Sequence, residues 1–146
     1  MSDRRGLGRW APAGAWAAVI FTLSTGWFSA EHTGGFLLPL LAALFPSWSP
    51  EQLATAHALI RKAAHFTEYL ILGVLLVRGY EPERTDGSAA ARALVLGAAF
   101  ACSDEYHQTF VPSRTPAVHD VVVDVCGLTT GILLALGWRR LDRRAH

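Results

Sequence analysis

Two acids, a histidine and an amide crowd into one short stretch, Ser103-Asp104-Glu105-Tyr106-His107-Gln108, and an arginine follows in Pro112-Ser113-Arg114. An apolar run, Ala93 to Cys102, leads into this stretch, and a second, Val118 to Trp138, comes after it. Two more ionisable groups flank it: Arg61, Lys62, His65 and Glu68 before, Asp120 and Asp124 after. Carboxylates and imidazoles can act as bases, acids or ligands. A guanidinium held between Pro112 and Pro116 suits phosphate or carboxylate recognition. The candidates for catalysis are His65, Glu68, Asp104 and Glu105, with no reaction assigned. The candidate ligand-binding set is Arg61, Lys62, His65, Glu68, Asp104, Glu105, Gln108, Arg114, Asp120 and Asp124. A plainer reading of the same residues is hydrogen-bonded glue between helices, and it stays open.

Composition sets the medium. The chain has 146 residues, enough for one domain over 1–146; 51% are apolar and 17% charged. Soluble domains carry about 25% charged residues, so the shortfall points to lipid. A net charge of +1 speaks against a nucleic-acid partner. Cys102 and Cys126 lie inside apolar runs and read as small buried hydrophobes rather than a disulfide pair. No HExxH, P-loop or Gly-x-Ser-x-Gly elbow is present, and Ser103 beside Asp104 lacks a separate base. A metal site drawn from His65, Glu68, Asp104, His107 and Asp124 has no diagnostic spacing. No metal ligands are assigned.

The elements that must position these residues are helices. Trp10 to Phe28 is a 19-residue stretch without formal charge, close to the ~20 residues that span a bilayer. Pro12 lies near its start, where proline is tolerated. A cleaved signal peptide is the rival reading, because Arg4-Arg5 precede the stretch; the run exceeds the ~7–15 residues of a signal core. Phe36 to Phe45 is too short to span, and its Pro39 suggests an interfacial or re-entrant piece. Trp48 fits an aromatic belt. Ser49-Pro50-Glu51-Gln52 combines a capping serine, a first-turn proline and a capping-box glutamine. The helix it starts is expected to run to Val77 or Arg78 and end at Gly79 and Pro82. Ala89 to about Thr109 and Val118 to Trp138 follow, the last closed by Arg139-Arg140 and Arg143-Arg144. The expected fold is all-α, a polytopic bundle of four transmembrane helices at about 10–28, 57–78, 89–109 and 118–138. A short interfacial or re-entrant segment follows the first.

Charge orients the bundle. With the N-terminus inside, the inner side holds Arg4, Arg5, Arg9, Arg78, Arg84 and Arg92, with the four arginines after Trp138; the outer half holds only Arg61, Lys62 and Arg114. The positive-inside rule places both termini in the cytoplasm. A rise of ~1.5 Å per residue then brings Glu68, His65, Asp104, His107, Gln108, Asp124 and Asp120 all into the outer half of the membrane. Arg61, His65 and Glu68 share one helix face by their i, i+4, i+7 spacing. Gly97, Ala101, Asp104 and Gln108 share another, as do Asp120, Asp124, Gly127 and Gly131. Ionisable groups at such depth face a bundle interior or a wet cavity, so the expectation is a polar pocket open to the outer surface. Its five acids outnumber Arg61, Lys62 and Arg114. Raised carboxyl pKa values, protonated histidines or a bound cation would each relieve the excess. His57, His119 and Glu31-His32 read as interfacial polar residues, and His107 as one reaching toward headgroups.

These motifs resemble a known family. Arg61-Lys62-Ala63-Ala64-His65-Phe66-Thr67-Glu68-Tyr69 with Gly73, Ser103-Asp104-Glu105 with Gln108, Pro112-Ser113-Arg114, and Asp120 with Gly127-x-x-x-Gly131 are similar to the VanZ-like bacterial membrane proteins. Phe21-x-Leu23-Ser24 resembles that family's first-span motif. Ser113 stands where the family pattern has glycine, and Asp124 where it has asparagine. The resemblance implies a cytoplasmic-membrane protein linked to resistance to teicoplanin-type glycopeptides. The site as read from the residues would then meet membrane lipid headgroups, a lipid-linked cell-wall precursor or a lipoglycopeptide. The alternatives are an enzyme acting on such a lipid through the same pocket, and a structural scaffold for a membrane partner.

Overall fold

The computed structural model describes residues 3–26, 29–80, 87–111 and 118–145. Among them every regular element is helical: α1 Asp3–Leu23, α2 Ala30–Leu44, α3 Pro50–Gly79, α4 Gly87–Gln108 and α5 Val118–Ala145. The expected stops at Pro82 and Pro112, like Arg84 and Arg114, lie outside the described residues.

Local chemistry fixes most boundaries. At α3 the reciprocal capping box forms as read: Ser49 Oγ accepts from the Gln52 amide at 3.3 Å, and Gln52 Oε1 accepts from the Ser49 amide at 2.8 Å. α2 starts well before its apolar run because Ser29 caps it, accepting from the His32 amide. α1 differs from the expected Trp10–Phe28 span. It begins at Asp3, which puts Pro12 inside the helix rather than near its start. It stops at Leu23, where the Thr25 amide turns back to the Thr22 carbonyl at 3.1 Å. α5 continues past Trp138 to Ala145, since leucine and arginine are good helix formers.

Contacts along the helices set their directions. Trp10 packs on Gly79 and edge-on against Tyr80, while the Trp16 indole donates to the Glu68 carbonyl at 2.9 Å. α1 and α3 are therefore antiparallel. Lys62, in the first half of α3, meets Asp120 at the start of α5, and Arg139, late in α5, donates to the Val77 carbonyl near the end of α3, so α3 and α5 run parallel. α4 runs against both: Phe100 lies beside Tyr69, and one turn on Asp104 reaches Ser24 beyond the end of α1, toward the starts of α3 and α5. α2 folds back on α3, where Thr33 Oγ1 lies 3.2 Å from His57 Nε2.

Among the described residues the α3–α5 contact is the most extensive. Small residues make it so: a methyl on Gly127 would strike the Phe66 carbonyl oxygen, one on Gly131 that of Leu70, and one on Gly73 that of Leu128. This is the close backbone approach that small residues permit between helices in lipid. Ile20, Tyr69, Leu72, Val77, Ala93 and Leu128 fill the core.

Among the described residues, one helical segment is long and apolar enough to cross a membrane by length and composition, His119–Asp142 within α5, with mean hydropathy 1.9. α1, α3 and α4 are long helices whose mean hydropathy is lowered by glycine and by polar and charged residues. The cysteines correct the sequence reading. Cys102 and Cys126 are free thiols on exposed helix faces, because the inward faces of their helices are taken by Ala101 and Asp104 and by Asp124, Gly127 and Leu128.

Candidate functional site

The polar residues converge where the ends of α1 and α4 meet the first halves of α3 and α5. Ser24, just beyond α1, donates its hydroxyl to Asp104 Oδ2 at 2.6 Å. One turn on from Asp104, Gln108 Nε2 donates to the same oxygen at 3.2 Å. Asp104 is only 1% exposed, so its carboxylate is held by hydrogen bonds rather than by water. Gly97, Ala101, Asp104 and Gln108 are all buried, as their shared face requires.

On the α3–α5 side, Lys62 Nζ lies 2.7 Å from Asp120 Oδ1, and His119 Nε2 lies 3.1 Å from the same oxygen. Deeper, His65 Nδ1 lies 3.4 Å from Asp124 Oδ1, and Asp124 is 1% exposed. Arg61 interacts electrostatically with Asp120 and Glu68. It also donates to Thr33 Oγ1 at 3.5 Å, which ties α2 to the group. Pairing of this kind is what makes buried charge tolerable, since removing one partner strands the other.

Tyr69 completes the arrangement. It is 0% exposed, and its hydroxyl has no hydrogen-bond partner among the described residues. The charges of Asp104, Asp124, Glu68 and Glu105 all act on it. Its hydroxyl is thus a buried donor lying in the field of four acids.

Thus Asp104 and Gln108 meet each other, and Lys62 and His65 meet Asp120 and Asp124. Arg61, Glu68 and Glu105 join them electrostatically. Arg114 lies outside the described residues. His107 is half-buried against the Phe21 ring, with centroids 4.5 Å apart. His57 is buried against Thr33 and Gly34 rather than interfacial. Ser24 and Tyr69 belong to the site although neither was singled out from sequence. Their one signal was membership of the motifs Phe21-x-Leu23-Ser24 and His65-Phe66-Thr67-Glu68-Tyr69. Among the described residues no group of three or more His, Cys, Asp or Glu is disposed to hold a metal ion.

Carboxylates hidden among helices, with Phe36, Val95 and Leu133 exposed on their outer faces, define an all-α bundle built around a polar layer. The VanZ/LLP1 family model matches residues 10–139, and the chain belongs to that membrane-associated family. The resemblance read from these separated motifs is thereby borne out. No curated protein and no solved structure matches the chain.

Proposed function

We propose that α1, α3, α4 and α5 cross the cytoplasmic membrane, with both termini inside, and that the polar layer is a recognition site for an amphiphile of the outer leaflet. The observation that carries this reading is the inverted distribution of polarity. Asp104 and Asp124 are 1% exposed while Val95 is 70% exposed. In water this arrangement would leave large apolar surface uncovered; in lipid it is the expected one, because intramembrane ionisable groups face the bundle interior. The alternating directions of α1, α3, α4 and α5 fit successive crossings. The basic residues gathered at one end, Arg9, Arg78, Arg92, Arg139 and Arg140 among them, fit a cytoplasmic face.

In this site Arg61, Lys62 and Arg114 bind a phosphate or carboxylate. Glu68, Asp104, Glu105 and His65 orient the hydroxyl or amine groups around it, and apolar helix faces take the tail. The ligand class is therefore a lipid headgroup, a lipid-linked cell-wall precursor or a lipoglycopeptide. Family membership supports a part in resistance to teicoplanin-type glycopeptides. The test is expression of wild type and Arg114→Ala in a susceptible host. We expect resistance to be lost in the variant at unchanged protein level, and an unaltered phenotype refutes the reading.

One observation favours turnover of the same ligand. The His65–Asp124 pair has the make-up of a base held by a carboxylate, the arrangement that fixes an imidazole's orientation and stabilises its protonated form. Incubation of pure protein with labelled membrane lipids separates the readings: product formation, lost in His65→Gln, means enzyme.

A further inference from the structure

The first third of α3 carries a second feature, away from the polar layer. A groove of about 470 Å³ runs along it, lined by Trp48, Glu51, Gln52, Thr55, Ala56 and Leu59. Helical spacing puts these α3 positions on one face, opposite His57, the residue that meets Thr33 of α2. Polarity is graded along the groove. Trp48, Glu51, Gln52 and Thr55 make one end of it, and Ala56 and Leu59 the other, with ~12 Å of helix between Glu51 and Leu59.

The polar end is held in place by its own contacts. The Trp48 ring stacks on Phe45, with centroids 4.1 Å apart and an interplanar angle of 11°. Phe45 thus covers one ring face and leaves the other to the groove. Gln52 Oε1 accepts from the Ser49 amide at 2.8 Å, which leaves the side-chain NH₂ group to donate. The Thr55 hydroxyl donates to the Glu51 carbonyl at 2.8 Å, which leaves its oxygen to accept. Glu51 is exposed and adds the acceptor oxygens of its carboxylate. A flat aromatic face therefore lies beside one donor group and two acceptor groups.

We infer that this groove binds a sugar ring of a lipid-linked saccharide, in the leaflet on the side away from the chain's termini. Chemical complementarity selects the ring. A pyranose has a face of C–H groups, which suits the negative face of an indole. Its hydroxyls both donate and accept, and the mixed set of Glu51, Gln52 and Thr55 meets both needs. Height selects the source. Counting ~1.5 Å per residue outward from Arg78, a hydrocarbon core of ~30 Å ends at about Ala58. Leu59 then lies at the edge of the hydrocarbon, and Thr55, Gln52 and Glu51 stand about 5–11 Å above it, at headgroup height. The sugar sits on Trp48 while its lipid tail passes Ala56 and Leu59 into the bilayer. This inference rests on the reading that α3 crosses the membrane, and it asks nothing of the polar layer.

The test uses the full chain in phosphatidylcholine nanodiscs doped with glucosyl diacylglycerol and diacylglycerol of identical acyl chains, with lipid retained on release counted by native mass spectrometry. One aromatic contact and one hydrogen bond each contribute about five-fold. We therefore expect the glucosylated lipid to be retained over the bare one by about 25-fold. Trp48→Leu and Glu51→Ala each reduce that preference about five-fold. Glu31→Ala, which removes an exposed acid of α2 outside the groove, leaves the preference unchanged. Equal losses in Glu31→Ala and Glu51→Ala, or no preference in the wild type, overturn the inference. Alkaline extraction of native membranes examines the crossing separately. Protein washed off by alkali sinks both readings, whereas protein that stays inserted but shows no preference for the sugar sinks this site alone.

Discussion

Glycine-to-alanine exchange along α5 offers a graded test of how the bundle is held. Gly131 faces the Leu70 carbonyl so closely that an added methyl would overlap it, and backbone cannot swing aside as a side chain can. Carbon and carbonyl oxygen meet at about 3.3–3.6 Å in helix contacts. α3 and α5 must therefore move apart by more than about 1 Å at this point, and a gap of about 0.5–1 Å already forfeits a quarter to a half of each contact's dispersion energy. Overpacking of this kind costs about 1–3 kcal/mol, or roughly 5- to 150-fold in the folding equilibrium. Gly137 is the internal control, because a methyl there meets nothing within 4 Å. Gly137→Ala is expected to be neutral or to stabilise by up to about 1 kcal/mol through helix propensity. Gly97→Ala falls between, since its methyl meets the branch ends of the Leu128 side chain. Reversible denaturant titration in micelles, followed by circular dichroism, ranks the three. The same separation would lengthen the 3.4 Å His65–Asp124 pair, so Gly131→Ala should also weaken ligand binding. If Gly131→Ala is as stable as Gly137→Ala, the close-packed α3–α5 seam is wrong.

Ser24→Ala removes one of the two donors to Asp104 Oδ2, Gln108 keeping the other, and should cost about 1.5–3 kcal/mol by the same titration, the worth of a hydrogen bond to a charged group. Tyr69→Phe removes a hydroxyl with no partner among the described residues; stability should hold or rise slightly while binding of the amphiphile falls, and a clear loss of stability would show the hydroxyl to be structural. A double-mutant cycle on Lys62 and Asp120, both partly exposed, should give a coupling of only about 0.2–1 kcal/mol that shrinks as salt is raised. Trp16→Phe should cost about 0.5–1.5 kcal/mol through its bond to the Glu68 carbonyl, and thermal shift against wild type checks it.

The site was legible in the chain wherever a charged residue interrupts an apolar run. Asp104, Asp124 and His65 announce themselves because lipid makes such residues costly, and helical spacing then tells which of them share a face. The i, i+4 pair Asp104 and Gln108 could be read directly from spacing. Lys62 with Asp120 and His65 with Asp124 could only be brought to a common height; the partnership itself depends on α3 and α5 running parallel and close. Ser24 gave no such signal, since a serine near the end of an apolar helix is cheap and ordinary. Tyr69 looked like the start of the apolar half of α3. The cysteines misled because burial was inferred from apolar neighbours, whereas in α4 and α5 small and polar residues take the inward faces and turn some apolar ones outward. The α1 boundary was misplaced for a related reason: apolar length marks what can sit in lipid, but a helix continues through Arg4 and Arg5 without cost.

The like-directed course of α3 and α5 carries a topological consequence. If the helices cross a membrane as proposed, two that point the same way are joined only through an odd number of return crossings, and α4 is the single described element that supplies one. Any splice that drops α4 would invert α5, carry Asp120 and Asp124 to the opposite face, and leave Gly127 and Gly131 with no mate.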